Sequence, residues 1–599
     1  TMSYGPLQIP LLERLQAAGD AVAVEHGAAR ITYSALDRAS TALAARLTAG
    51  GVGAGGHVGI LVEDRLLVIV AALAAWKMGG VFVPLDPASP VRNLTGLARQ
   101  LDLAAIVADA ATRAVAEEAR GGGGAFVLVA DRGLLDSAPA GRDPVARPPF
   151  QADDPIYIYA TSGTTGRAKA VVGRSESLLH FLSWEIEALT LEPGVRVSQL
   201  TSPTHDPYLR DVLAPLLAGG TVCIPQDSKI VLSGAALRGW IDASGVELVH
   251  CTPSIFRNLC NAGLDEAEFK ALRWVLLAGE QLYGRDVARW YERFGSRIQL
   301  INVYGPTETT LAKFYHPLSP ADAGNGRIRV GRPISETRYR ILREQDGEEE
   351  VGELAIATPY RTLGYYADEA LTAQAFVPFL DDRGQSEVFY RTGDLVRRLP
   401  EGELEIVGRV DDQVKLFGER IELDELTGHL LAHPAVEGGV VRAAPVGGDE
   451  RPTDLVAYYV GGEDGLDEGL RRHFADSMPR FKVPRLYVRM EALPLKPNGK
   501  VDISALPDPF AAAPATAAPG AAAGGDPLEA QLTAIWSEIL GREPIGSQDV
   551  FMEIGGDSLA IMLLVARVRD DFDFELSLWE IFEDLTIEKL ATRIRETQA

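Results

Sequence analysis

The chain has 599 residues, 46% apolar and 24% charged, enough for three or four folded units with separate cores. A formal net charge of −25 argues against a broad basic face for nucleic acid or an anionic membrane, while leaving room for a local phosphate site. Three cysteines, Cys223, Cys251 and Cys260, lack zinc spacing and cannot staple a secreted fold of this length, so a cytoplasmic location is expected.

Taken in chain order, residues from about 10 to 150 alternate Ala/Leu-rich helical stretches with short β-branched runs at 57–64, 79–86 and 104–110. The opening TMSYGPLQIP has no basic-then-apolar leader pattern. The apolar run from Val68 to Trp76 is too short to span a bilayer and reads as a buried helix. The alternation continues through 221–225, 246–253, 274–280 and 298–305, which predicts an α/β fold with parallel-rich sheets. From about 327 the strands crowd together into a β-rich part. These segments make up a large N-terminal core over 1–410, and 411–506 reads as a small, mobile α+β C-terminal lid. Residues 507–526 are almost only Pro, Ala and Gly and read as a tether. Residues 527–599 show helical periodicity and read as a four-helix-type bundle.

Four motifs carry chemistry. The run Thr161, Ser162, Gly163, Thr164, Thr165, Gly166, Arg167, Ala168, Lys169 follows the apolar strand IYIYA. Backbone N–H groups, hydroxyls and a lysine there suit phosphates, although a flexible loop has the same composition. Asn302, Val303, Tyr304, Gly305, Pro306, Thr307, Glu308 close another strand with a forced turn, where α/β enzymes keep their sites. Glu308 there suits Mg²⁺ or is a solvated turn residue. Asp394, in YRTGD, and Arg409, in GRVDDQ, stand at strand ends, where an Asp suits ribose hydroxyls; either string alone is also an ordinary surface turn. In the tail, Gly555-Gly556-Asp557-Ser558 precedes a helix, where Ser558 is either a modification site or a cap.

In this order the motifs resemble the adenylation domains of nonribosomal peptide synthetases, within the adenylate-forming enzyme superfamily. The likeness runs over about 10–506, from ITYSALDRAS and WKMGGVFVPLDPASP through TSGTTGRAK, NVYGPTET, GELAIATPYRTLGYY, YRTGDL and GRVDDQVKLFGERIEL to PLKPNGKVD. DVFMEIGGDSL resembles a peptidyl carrier domain, with Ser558 as the 4′-phosphopantetheine site. The resemblance implies ATP-dependent formation of an acyl adenylate, then transfer to the carrier. It places Thr161, Ser162, Gly163, Thr164, Thr165 and Lys169 on the phosphates, and Asn302, Tyr304, Asp394 and Arg409 around the nucleotide. Glu308 falls on Mg²⁺ with Thr307 beside it, Lys500 at the reacting carboxylate, and Asp411 at the lid hinge. Two departures stand out: Ala168 and Ala170 flank Lys169 where Pro and Gly are usual, and Phe417 replaces an Arg. The implied partners are a phosphopantetheinyl transferase, an MbtH-like helper and downstream condensation or reductase domains. An acyl- or aryl-acid ligase and a carrier scaffold with an inactive adenylation unit are the rival readings.

The same alignment makes Asp206, Pro207, Arg210, His250, Leu276, Ala278, Val303, Leu311, Ala312 and Lys500 the acid pocket. Asp206 would pair with the ammonium of an amino acid, or would cap the following helix. A buried Arg210 needs an anion, either a distal carboxylate of the substrate or its neighbour Asp211. HDPYLRD also looks like the corresponding stretch of fungal α-aminoadipate reductases. An acidic amino acid such as 2-aminoadipate and a small or aliphatic one both remain open at this stage.

Overall fold

A computed structural model shows how the chain folds; it describes all residues except 1–3, 122–123, 137–148, 162–167, 262–263, 266–267, 325, 343–350, 381–383, 411–412, 417–418, 446–451, 463–465, 495–500, 502, 508–526, 541–544, 552–557, 573, 575, 577–584 and 599. Among the predicted site residues, Ser162, Gly163, Thr164, Thr165, Asp411 and Lys500 lie outside the described residues, as do Phe417 and the tether. The described residues divide into two compact units, Thr1–Arg420 and Ile421–Ala599. The sequence reading draws the corresponding line at 410/411.

The first unit holds two large sheets. In the nine-stranded sheet, Val22–His26, Thr221–Ile224, Arg196–Ser198, Leu248–Cys251, Trp274–Leu277 and Gln299–Tyr304 run parallel in that spatial order. Antiparallel strands close both edges: Ala29–Thr32 at one, Phe314–Pro317 then Arg332–Pro333 at the other. The seven-stranded sheet orders Gly364–Tyr365, Lys169–Arg174, Pro155–Thr161, Val81–Pro84, His57–Leu61, Leu103–Ala108 and Phe126–Val129. The strands Val81–Pro84, Thr221–Ile224 and Leu248–Cys251 are buried at every residue, as expected when both faces of a parallel sheet are covered.

The covering helices are correspondingly apolar. Arg65–Lys77 contains the Val68–Trp76 run and is buried from Leu66 to Lys77. Asp64 caps it by accepting the Leu66 N–H at 3.0 Å. Its one buried charge, Lys77, is satisfied three times over: Nζ donates to Asp37 Oδ1 at 2.5 Å, Asp37 O at 2.8 Å and Thr41 Oγ1 at 2.7 Å. The expected β-rich part is an antiparallel sheet ordering Arg338–Leu342, Val351–Ala357, Ser386–Arg398 and Phe376–Leu380, with Leu404–Arg409 paired to the long strand.

Two of the cores among the described residues belong to the second unit. One joins the strands Gly438–Pro445, Pro452–Val460 and Leu486–Arg489 around Val440, Val456 and Tyr458. The other lies among the helices Pro527–Leu540, Ser558–Phe572 and Ile587–Gln598, where Leu532, Trp536, Phe551, Leu564, Val568, Leu590 and Ile594 are buried together. Among the described residues no helix is long and apolar enough to cross a membrane.

Candidate active site

The strand Gln299–Tyr304 organises the site because successive side chains leave its two faces. Parallel pairing puts His250 beside Leu276, and Leu276 beside Ile301, so these share one face with Val303. Leu276, Ile301, Val303, Leu311 and Ala312 pack in one core with Tyr157, Tyr159, Tyr208 and Leu209, and Ala278 packs against it. Asn302 and Tyr304 take the other face. Asn302 Nδ2 donates to Arg329 O at 2.9 Å, and Tyr304 packs with Phe314 and Val330. One strand therefore serves two neighbourhoods.

The second face is where the predicted nucleotide residues meet. Asp394 and Arg409 stand opposite each other on the paired strands Ser386–Arg398 and Leu404–Arg409. The Asp394 carboxylate accepts from the Tyr304 hydroxyl and from Arg409 Nη1. The turn before it is locked as well. Gly393 has φ 72°, and its N–H donates to Glu353 Oε1 at 3.1 Å, while the Asp394 N–H donates to Thr392 Oγ1 at 3.0 Å. Residues some 90 and 15 positions away in sequence thus converge on one buried carboxylate. Burial and the Asp394 charge push the Tyr304 hydroxyl far up, so it stays a donor.

Beyond Tyr304 the chain turns back so closely that a Cβ on Gly305 would lie 2.2 Å from Leu311 O and 2.6 Å from Ala312 Cα. Only glycine fits there. The tight return sets Thr310 and Leu311 at φ 69° and 57°, the left-handed region that side chains avoid. The short helix Thr307–Thr309 inside this turn brings Thr307 toward Asp206, where its hydroxyl holds the carboxyl pKa down. Glu308 is fully buried. Its Oε1 accepts the Tyr365 hydroxyl at 2.8 Å and its carbonyl accepts the Thr362 hydroxyl at 2.7 Å. Tyr365 and Thr362 were not singled out by sequence, since nothing local marks a partner more than fifty residues downstream.

Thr161 and Lys169 are paired across the antiparallel strands Pro155–Thr161 and Lys169–Arg174. Ser558 opens the helix Ser558–Phe572.

On the acid side, Asp206 precedes the helix Tyr208–Ala218 and Arg210 lies in its first turn, four residues on. Asp206 does not cap that helix: its first turn has no side-chain cap, and the carbonyl of Asp206, not its carboxylate, accepts the Leu209 N–H at 3.0 Å. Burial pushes the Asp206 carboxyl up to about 6, against the Thr307 hydrogen bond and the charges of His205 and Arg210. Asp211 is fully buried and does not pair with Arg210. It accepts His250 Nδ1 at 3.0 Å and the N–H groups of Thr201 and Leu200 at 3.0 and 3.3 Å. The other His250 nitrogen, Nε2, lies 3.1 Å from Glu185 Oε1, with both side chains fully buried. Burial alone would depress His250, but the Glu185 charge and the contacts to Asp211 and Glu185 hold its pKa above the ordinary 6.5. Both ring nitrogens of His250 therefore face carboxylates.

Glu185 was missed by sequence, yet a signal exists. In the helix Ser175–Ala188 it follows Leu178 and Phe181 by seven and four residues, on the buried stripe. A glutamate on such a stripe needs a buried partner. Lys313 was missed too. It is fully buried, its Nζ has no hydrogen-bond partner, and burial with the Arg174 charge pushes it down to about 7.

With this geometry in view, similarity to known proteins is informative. A family profile described as AMP-binding enzyme matches residues 11–366, more than half of the chain, and the chain belongs to that family. A second profile, described as phosphopantetheine attachment site, matches 530–594. Surfactin synthase subunit 1 of Bacillus subtilis is 32% identical over 97% of this chain and 16% of its own length. Tyrocidine synthase 3 of Brevibacillus parabrevis is 33% identical over 96% of this chain and 9% of its own. The chain thus spans a minor part of these relatives. A solved nonribosomal peptide synthetase protein containing adenylation and PCP domains, bound to a vinylsulfonamide inhibitor, matches with TM-score 0.79 and 27% identity, covering 99% of this chain and 97% of that one. The chain is an adenylation domain followed by a carrier domain of the nonribosomal peptide synthetase type.

Proposed function

We propose that this pair of domains activates an α-amino acid with ATP and loads it onto its own carrier at Ser558. The substrate carboxylate attacks the α-phosphorus, the bond to the β-phosphate breaks, and pyrophosphate leaves. The acyl carbon is then taken by a thiol, and AMP leaves. A four-domain nonribosomal peptide synthetase, bound to AMP and glycine, is 27% identical to this chain and matches with TM-score 0.58 over 98% of it and 42% of its own length.

The observation that carries the reading is the strand Gln299–Tyr304 with its turn: it delivers Tyr304 to Asp394 on one side and Thr307 to Asp206 on the other. Asp394, fixed by Tyr304 and Arg409, takes the ribose, and Asn302 steadies the strand end. Thr161, Ser162, Gly163, Thr164, Thr165 and Lys169 take the phosphates. Lys500 bridges the reacting carboxylate and α-phosphate, and Asp411 is the hinge on which the lid turns. Asp206 receives the substrate ammonium. Pro207, Leu276, Ala278, Val303, Leu311 and Ala312 wall the side-chain pocket.

The Glu308 carboxylate fits Mg²⁺. Among the described residues no cluster of three or more metal-ligating side chains occurs, and a single oxygen donor suits a cation held mostly by substrate phosphates and water. When bound, that ion neutralises phosphate charge. The 4′-phosphopantetheine arm, when attached at Ser558 by a phosphopantetheinyl transferase, supplies the thiol. An MbtH-like helper and a downstream condensation or reductase domain complete the set of partners. All three cysteines are buried and free, in keeping with a cytoplasmic location.

The test is ATP–pyrophosphate exchange by the full chain against amino acids, fatty acids and aryl acids. Exchange stimulated by amino acids supports the proposal; exchange stimulated by fatty or aryl acids but not amino acids overturns it.

A further inference from the structure

Arg210 is 3% exposed and its Nε is buried without a hydrogen-bond partner. Two neighbouring acids face His250, and a third, Asp206, feels the Arg210 charge without forming an ion pair with it. Asp211 is held by His250 and two backbone N–H groups, and Glu185 faces the far edge of the same imidazole. Among the described residues no carboxylate forms an ion pair with the Arg210 guanidinium.

A buried cation without a partner has two ways out. It can lose its proton or find an anion. The buried Lys313 takes the first, with its pKa pushed down to about 7. Arginine cannot take it, because guanidinium stays charged at any pH a folded protein experiences. The buried Lys77 shows the second way realised within the chain, through Asp37 and Thr41. Among the described residues Arg210 has neither, which leaves its place open to an anion brought by a ligand.

Position says which anion. Arg210 lies in the first turn of the helix Tyr208–Ala218, four residues after Asp206, which precedes that helix, and its charge is felt at Asp206. A ligand with an ammonium at Asp206 therefore reaches Arg210 with a group several bonds further along its side chain. The planar guanidinium fork matches a carboxylate in two parallel hydrogen bonds.

Resting on the amino-acid reading above, we propose that the pocket selects a dicarboxylic amino acid, whose distal carboxylate pairs with Arg210. Asp211, His250 and Glu185 act as positioning residues. His250 stands between both acids and ties the helix start to the strand Leu248–Cys251.

The experiment is pyrophosphate exchange by the full chain with aspartate, glutamate and 2-aminoadipate, each beside its side-chain amide, and with neutral aliphatic amino acids. One of the acids should exceed its amide by about a hundredfold in kcat/KM. Arg210→Gln should remove that preference by cutting use of the acid while use of the amide holds or rises. A wild-type preference for amides or aliphatic amino acids overturns this inference alone and leaves the amino-acid reading standing. Exchange with fatty or aryl acids only overturns both. The wild-type comparison decides the matter even if Arg210→Gln does not fold.

Discussion

The two faces of the strand Gln299–Tyr304 lead to charged groups treated in opposite ways. On the Tyr304 face, the Asp394 carboxylate is held by protein donors, Tyr304 and Arg409, with acceptor sites left for a ligand. On the Val303 face, Arg210 is buried with its Nε unmet while Asp211 and Glu185 face His250. The nucleotide is the same for every enzyme of this class, so a pre-organised carboxylate costs no adaptability. The acid differs from enzyme to enzyme, and an unmet group is how a pocket declares which acid completes it. Selectivity follows from leaving a buried donor dependent on the ligand.

Breaking the Asp394 side should cost most. Asp394→Ala removes the acceptor and leaves Arg409 and the Tyr304 hydroxyl without it, so kcat/KM for ATP should fall about a thousandfold, with a stability loss of about 2 kcal/mol. Exchange kinetics and a thermal melt measure both; an unchanged dependence on ATP would remove Asp394 from the nucleotide site.

The acid side responds to pH. Asp206 must be ionised to hold an ammonium, and its carboxyl is pushed up to about 6 by burial. The KM for the amino acid should therefore rise as pH falls through 6, while the ATP dependence stays flat. The stability sign is the reverse. A carboxyl whose folded pKa lies above its unfolded value contributes stability below about pH 4 that is lost as pH rises through 6. Asp206→Asn should then stabilise the fold by about 2 kcal/mol at pH 7, do little at pH 4, and raise the amino-acid KM about a hundredfold. A destabilised variant with normal KM would assign Asp206 a purely structural part.

A smaller effect sharpens the contrast between the faces. Glu185→Gln withdraws one of the two carboxylates on His250, so the histidine pKa should drop and the chain should lose about 1 kcal/mol. Nuclear magnetic resonance titration of the imidazole reads this directly. A pKa that does not move would mean that Asp211 alone sets the histidine charge.

Much of the architecture was legible from local patterns. Short β-branched runs at 246–253, 274–280 and 298–305 became parallel strands because their flanking helices bury both faces. The motif residues Asp394, Arg409 and Tyr304 could be placed near one another only through a family resemblance, since their contact is made across sheet register that no spacing encodes. The pairing of His250 was not legible. The bland expectation for Arg210 was Asp211 as its neighbour, but helical geometry sends adjacent residues to different directions, and Asp211 meets the strand Leu248–Cys251 instead. Glu185 was readable in principle from its place on an apolar stripe, but its partner lies on an element 65 residues away.

The central claim joins an activating site in the first unit to a carrier serine in the second. Mass spectrometry of the phosphopantetheine-modified full chain, incubated with ATP and its amino acid, tests it most directly. The account predicts an added acyl mass on the peptide containing Ser558, and for Ser558→Ala it predicts undiminished pyrophosphate exchange with no acyl mass. An acyl group on another residue, or loss of exchange in a folded Ser558→Ala variant, would contradict it.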